Sequence, residues 1–559
     1  MKKVFTIAMA LTIAATTWAA DAPKWLQKVR KAVVSVITYD SEGKMIGTGN
    51  GVIISPEGSA VADYSIFKGA VSAVAIDADG KQHPITNIEG ANSMYEVIKF
   101  RIADAKKLTT IELAQDTVKE NQAVFMLNYS TNKSQMPASG TITSKNTAAE
   151  KYSYYTLDFG MGEKNVGAPL LNEEGQLIAL IQKADASEKN GYAIDANFAA
   201  DLQISPLAIK DAALDAVKIK KSLPKAENDA LLYIYMKQHG ISKENLLELR
   251  SDFISAFPNS AEGYLQRAIC LIDLDRNAEA ENDLNKYQSL SQSKADALYN
   301  LSNIIYNKSI YRPEPAYKNW NLDEALTLIN KAISIKDEPL YVSHRGAILY
   351  AKKDYENAYN DFMALASTSM RSANFFYSAA QCKENMNADA KEVLALKDSA
   401  LACFSQPYVK DAAPYLYARA QQRVVCKMFR DAVIDFNEYE HLMNGQLNEN
   451  FYYRREQAEV ECRMFKQALD DINKAVEINP NDAELETERA SINLRVGNND
   501  EAESAAKHAL ELNEKETDAH RMLGYVLYKK GNKEEGLKHL NRAKELGDNT
   551  IDELINKLK

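Results

Sequence analysis

Residues 483–540 read AELETERASINLRVGNNDEAESAAKHALELNEKETDAHRMLGYVLYKKGNKEEGLKHL, and small residues recur in this stretch at a fixed interval. Ala502 and Gly536 are 34 apart, and Ala468 precedes them by the same step. Glu456, Ala490 and Gly524 repeat the beat 12 positions earlier. Between these marks apolar residues follow the i, i+3, i+4, i+7 rhythm of a helix face. Gly497-Asn498 and Gly531-Asn532 punctuate the turns. One helical hairpin cannot bury its apolar face alone, so the period predicts stacked hairpins sharing a continuous core. Small residues belong where two helices cross closely. A stack of this kind usually binds other proteins and carries out no chemistry itself.

Working outward, the clearest units are Ala268/Ala280, Gly346/Ala358, Ala420/Ala432, Glu456/Ala468, Ala490/Ala502 and Gly524/Gly536, each pair 12 apart. Pro258 and Pro480 fall at unit ends, and two irregular units stand around Ala325-Ile329-Ala332 and Ala379 to Phe404. The spacing resembles the tetratricopeptide repeat, over about residues 227–548, with 549–559 expected as a capping helix. Glu456 departs from the small-residue rule and predicts a locally looser unit. The resemblance implies a concave, protein-binding groove lined by Tyr350, Tyr417, Gln421, Tyr453, Gln457, Arg495, Arg521, Tyr525 and Tyr528. Tyr and Arg suit an interface because they combine area with a polar tip. About half of that stripe is expected to serve hairpin packing instead. Arg267, Arg345, Arg419, Arg455 and Arg489 each precede the small residue of their unit. They form either a carboxylate-binding ladder or, more commonly for a repeated Arg, a structural row reaching backbone carbonyls. The insert Lys308 to Trp320, with Tyr311, Pro313, Pro315 and Tyr317, reads either as a binding face or as an idle loop.

Before residue 205 the rhythm is different. Val33 to Tyr39, Gly51 to Ser55, Val71 to Ile76, Val97 to Ile102, Ala123 to Leu127, Tyr154 to Phe159 and Leu177 to Ile181 are short β-rich runs closed by turn signals. Many short strands at regular spacing suggest a barrel or sandwich. Pro206 and Pro224 bracket Ala208 to Ser222, which is expected to be a connecting helix, so the linker is placed at 206–226.

Three stretches of this half resemble the exported, trypsin-like serine proteases of the HtrA/Deg type, over roughly residues 25–203. Gly49-Asn50-Gly51-Val52-Ile53-Ile54-Ser55 is similar to the family's Gly-Ser-Gly strand and turn. Lys164-Asn165-Val166-Gly167-Ala168-Pro169-Leu170 is similar to its nucleophile loop, and Gly191-Tyr192-Ala193-Ile194 to the strand that pairs with substrate. The resemblance places Ser65 at the base position, Met94 at the orienting-carboxylate position and Val166 at the nucleophile position. A triad needs an activated oxygen, a base and a carboxylate, and all three types are replaced. Lys164 and Ala168 also replace two glycines of the loop. His83 is the only histidine of this half and is expected on a solvent-exposed strand. A Ser65–lysine dyad is the formal alternative. The degenerate cleft then either holds a peptide along the edge strand Tyr192-Ala193-Ile194 or is a rigid spacer, and the lost glycines favour the spacer.

Lys2-Lys3, the apolar run Val4 to Ala15 and Thr17-Trp18-Ala19 read as a signal peptide over 1–19, with export to the periplasm expected. No later run is apolar enough to span a bilayer. A net charge of −10 without a basic face argues against a nucleic-acid partner. The five cysteines all lie in the helical half and are expected as buried thiols; no Cys/His spacing suggests a metal, and no cofactor is implied. The sequence therefore predicts a multidomain β + α protein: a trypsin-like double β-barrel over 20–205, then an all-α tetratricopeptide superhelix. The expected function is a non-catalytic, exported scaffold that binds a protein or peptide. The alternatives are an endopeptidase with an unconventional nucleophile, or a regulator of an active envelope protease.

Overall fold

The computed structural model describes residues 22–104, 108–115, 118–149, 151–159, 162–184, 189–445 and 447–558. The expected signal peptide at 1–19 lies outside the described residues. The chain divides into two compact units, Met1–Leu290 and Ser291–Lys559.

In the first unit twelve strands form two closed barrels. β1 (Val33–Tyr39), β2 (Met45–Ile53), β3 (Ser59–Asp63), β4 (Ser72–Ile76), β5 (Gln82–Asn92) and β6 (Val97–Ile102) close in the order β1-β2-β3-β6-β5-β4. β7 (Ala123–Met126), β8 (Ala138–Ala148), β9 (Tyr152–Leu157), β10 (Pro169–Leu171), β11 (Leu177–Ile181) and β12 (Gly191–Asp195) close in the order β10-β11-β12-β9-β8-β7. The period of two decides which core each side chain joins. Val34 and Val36 point into the first barrel with Ile53 and Phe100. Val33 and Val52 point the other way, into a cluster shared with Leu171, Leu180 and Ile194 of the second barrel. Strands buried on both faces thus weld the two barrels together. The tight turns repeat one device: Asp40 Oδ1 accepts from Glu42 N and Lys44 N, and Asp77 Oδ1 accepts from Asp79 N and Lys81 N.

Residues 208–222 are not the connecting helix the sequence suggested. Only Ala212–Asp215 is α-helical. Beyond it the chain runs extended along the first barrel: Gly69 N donates to Ala216 O, Lys218 N to Ala70 O, Ile88 N to Lys220 O and Ser222 N to Ile88 O, all at 2.7–2.8 Å. Leu214, Val217 and Ile219 enter the barrel core, and Tyr64 Oη donates to Ala213 O at 2.9 Å. The physical reason is the alternation Val217-Lys218-Ile219-Lys220, a period of two that suits a half-buried strand.

From Glu227 onward the described residues form helices: Glu227–Lys237, Lys243–Ala256, Ala261–Asp273 and Asn277–Leu290 in the first unit, then fifteen from Lys294–Tyr311 to Ile551–Leu558 in the second. Within hairpins the small residues sit at the crossings. A Cβ on Gly524 would lie 2.8 Å from Gly536 O, and one on Gly536 equally close to Gly524 O. Ala268, Ala280, Ala358, Ala420, Ala432, Ala468 and Ala490 are fully buried, and so is Glu456. The closing helix Ile551–Leu558 buries Ile551 against Leu540 and Ala543.

The arginine row is structural, but its partners are carboxylates rather than backbone carbonyls. Arg267, Arg345, Arg419 and Arg455 each grip, with Nε and Nη2, the aspartate 16 positions later on the second helix of the same hairpin: Asp283, Asp361, Asp435 and Asp471. Arg489 has Ala505 at that offset and pairs instead with Glu486 at 2.6 Å. All five cysteines are free thiols, but only Cys270 and Cys382 are buried. Cys403 is exposed, while Cys426 and Cys462 are half-buried where their helices end. No helix among the described residues is long and apolar enough to cross a membrane.

Candidate functional site

Of the three positions to which the resemblance carries the triad, Ser65 and Val166 lie at the junction of the two barrels. β3 ends in Asp63, and Ser65 opens a single turn of 3₁₀-helix, Ser65–Phe67. Ser65 Oγ donates to Asp63 Oδ1, which also accepts from Ser65 N at 2.8 Å. Asp63 is 2% exposed and its Oδ2 accepts no hydrogen bond. Burial holds its carboxyl above the ordinary range, against the two Ser65 bonds. Met94 stands in the turn before β6, 81% exposed, its amide donating to Asn92 Oδ1 at 3.0 Å.

Val166 follows a second 3₁₀ turn, Glu163–Asn165, and its amide donates to Glu163 O at 3.4 Å. An amide folded back in this way does not point at an incoming oxyanion. Asn50 of β2 locks the loop: its Nδ2 donates to Lys164 O at 2.9 Å and to Val166 O at 3.0 Å, while its Oδ1 accepts from Tyr129 N. Gly49 sits between the Ile66 side chain and Val166 O, so Ser65–Phe67 and the Val166 loop do converge. Met94 is not brought in by any contact. Gly167 closes the junction at φ +77, and a Cβ there would meet Asn50 O at 2.5 Å. Gly167→Ala is therefore expected to cost about 1–3 kcal/mol, read as a lowered urea midpoint of the first unit.

Two six-stranded barrels joined at this loop set the frame. Residues 49–180 match the family model of the trypsin-like peptidase domain. No curated protein matches the chain. The matched segment of the trypsin-like domain runs from β2 to β11 and so includes both Ser65 and Val166.

Two further expectations about this domain need correction. His83 is not at the surface: it is 6% exposed, with Nε2 2.9 Å from Asp77 Oδ2. β5 turns its side chain inward over the Asp77 turn, where Tyr129 Oη also donates to Asp77 O. Tyr192, Ala193 and Ile194 are not an edge strand. β12 is bonded on both sides, to β11 through Ala193–Ile181 and Ile194–Leu180, and to β9 through Tyr192–Thr156 and Ala193–Tyr155. Barrel closure uses the backbone groups that an added strand would need.

In the second unit the expected groove residues divide. Tyr417 is committed to packing, its ring 5.0 Å from Tyr439 and 5.8 Å from Phe436. Tyr350 packs on Tyr355 and accepts from Asn385 Nδ2 at 3.1 Å, and Tyr453 donates to Glu484 at 3.0 Å. Gln421 is half-buried and Gln457 exposed. Lys533 lies over the Tyr528 ring. Arg495, Arg521 and Tyr525 come together, lining a cavity of about 350 Å³ with Leu494, Met522 and Leu554. In the insert, Lys308 Nζ donates to Pro315 O and Tyr317 meets Trp320 edge to face at 5.0 Å.

Glu456, whose break with the small-residue rule predicted a locally looser unit, is instead fully buried at its crossing, beside the buried Glu459. Glu456 accepts no hydrogen bond at either oxygen, and Glu459 Oε2 is likewise unpartnered. Burial, then repulsion from Glu488, Glu459 and Asp471, pushes the Glu456 carboxyl up to about 9, with Arg495 opposing. Glu459 is pushed up to about 8 by burial and Asp471. The signal was present, since an acid at a small-residue crossing has no water to meet.

Proposed function

We propose that the protein is a non-catalytic, exported scaffold, in which a trypsin-like domain without a working triad accompanies a tetratricopeptide-type groove for a protein or peptide. The observation that carries this reading is the Val166 amide bonded back to Glu163 O, in the loop that the resemblance equates with the nucleophile loop. Ser65, at the base position, donates to Asp63, a carboxyl that burial makes more basic than usual but that is already engaged by Ser65 and is no substitute for an imidazole. His83 is engaged with Asp77. The gathering of Arg495, Arg521 and Tyr525 supports the binding half of the reading.

A fluorophosphonate probe is expected to leave the purified protein unlabelled, and casein to stay uncut beyond a heat-killed control. Labelling that disappears in Ser65→Ala would overturn the reading. For the groove, a photo-crosslinker at Tyr525 is expected to capture a discrete polypeptide in the cell envelope, while the same group at Ile434 does not. Equal capture at both positions would remove the groove from the proposal.

A further inference from the structure

Helices Glu227–Lys237, Lys243–Ala256 and Ala261–Asp273 enclose a cavity of about 300 Å³ that neither the barrels nor the groove explains. Its wall is apolar, made by Leu231, Leu232, Tyr235 and Phe253, and Leu232 and Tyr235 remain 41% and 62% exposed at the rim. Arg250 also lines it, yet this arginine is 7% exposed. The other buried arginine of a hairpin, Arg455, is held by two carboxylates, Asp471 and Glu440. Arg250 forms no ion pair among the described residues. Its guanidinium meets only neutral acceptors: the Gln266 carbonyl, Gln266 Oε1 at 3.3 Å and Gln238 Oε1 at 3.4 Å. Its Nε has no acceptor at all. Burial disfavours its charge and outweighs the electrostatic support of Asp273 and Glu262, neither of which forms an ion-pair contact with it, so a contacting anion would complete the compensation.

Charge and shape together describe what would fit. The guanidinium fork matches a planar carboxylate, which accepts two parallel hydrogen bonds. The wall beside it calls for an apolar body. At roughly 30 Å³ per small group, the volume holds about ten non-hydrogen atoms. Glu262, exposed at the mouth and bonded to Gln266 Nε2 at 2.7 Å, disfavours a second negative charge on the ligand. We propose that this pocket binds a free, unbranched monocarboxylic acid of medium chain length, with its carboxylate on Arg250 and its tail along Leu231, Leu232, Tyr235 and Phe253. Gln238 and Gln266 yield their side-chain acceptor contacts to the incoming carboxylate. The inference is independent of the groove and of the state of the triad.

Octanoate, which has ten non-hydrogen atoms, is the probe, titrated calorimetrically into the full-length mature protein. The expected result is one-to-one binding that weakens at least tenfold in Arg250→Met and at least tenfold when octan-1-ol replaces octanoate. Octan-1-ol itself should bind Arg250→Met no worse than the unaltered protein, which shows that the pocket survives the substitution. Leu232→Glu, at an exposed wall position, should abolish octanoate binding without changing the helical circular dichroism. Failure of octanoate to bind the folded protein overturns the proposal, as does binding unaffected by either substitution. A peptide ending in an apolar residue that binds through Arg250 while octanoate does not would also overturn it, naming a polypeptide terminus as the occupant.

Discussion

Glu456→Ala is expected to stabilise the unit Ser291–Lys559, by about 2 kcal/mol at pH 7, and to add almost nothing at pH 4. Glu456 is fully buried at a helix crossing where other units carry Ala420, Ala490 or Gly524. Its carboxyl is pushed from the ordinary 4.5 up to about 9, first by burial and then by Glu488, Glu459 and Asp471. Between those values the folded protein holds a proton that the unfolded chain has released. A raised folded value means that stability is fully present below about 4.5 and is lost as pH rises toward 9. Each unit is worth about 1.4 kcal/mol, so the penalty at pH 7 is bounded near 3 kcal/mol; filling the site less well with alanine subtracts part of the relief. Thermal melts of the two proteins across pH 4–9 should therefore diverge as pH rises. Curves that stay parallel would show that Glu456 is solvated in solution.

Arg455→Met is expected to cost about 3–5 kcal/mol, the largest loss of any single substitution considered. Arg455 is 5% exposed and its guanidinium holds Asp471 with two bonds, at 2.6 and 2.8 Å, and reaches Glu440 at 2.6 Å and Asn437 at 2.9 Å. Removing it leaves Asp471 and Glu459 buried as acids with no cation between them. The double variant Arg455→Met/Asp471→Leu should recover part of the loss, because it removes the Asp471 charge while Glu440 and Glu459 still lack their cation. By contrast Arg276→Ala, which breaks a solvent-exposed pair with Glu279, should leave the urea midpoint essentially unchanged. Urea denaturation of the four proteins separates these outcomes. An Arg455→Met loss no larger than that of Arg276→Ala would mean that the buried clamp contributes only to register.

Much of this architecture was legible because it obeys short-range rules. The 34-residue beat marks hairpin crossings, since the Gly524–Gly536 contact leaves no room for a Cβ. The alternating runs marked strands, and the turn signals that closed them fall at positive-φ glycines, Gly43, Gly58 and Gly80. What failed was long-range. Barrel closure took Tyr192–Ile194 away from any edge, and closure is a property of all six strands rather than of one. His83 was misplaced because an isolated Gln-His-Pro segment says nothing of the Asp77 carboxylate across the turn. The aspartates 16 positions beyond Arg267, Arg345, Arg419 and Arg455 form a second periodicity in the sequence, beneath the stronger beat of small residues. Of the expected groove, Arg495, Arg521 and Tyr525 share one cavity, while Tyr417 is spent on packing, because helical phase assigns a face but not a neighbour.

The extended segment after Asp215 has a topological consequence. The polypeptide leaves the second barrel, then stitches itself back onto Ala70 and Ile88 of the first before any hairpin begins. The covalent order and the packing order therefore cross, and the N-terminal half is fastened at both ends like a buckled strap. A nick in the chain near Pro206 would leave two fragments that stay clasped, whereas a protein truncated there would lose Leu214, Val217 and Ile219 from its own interior.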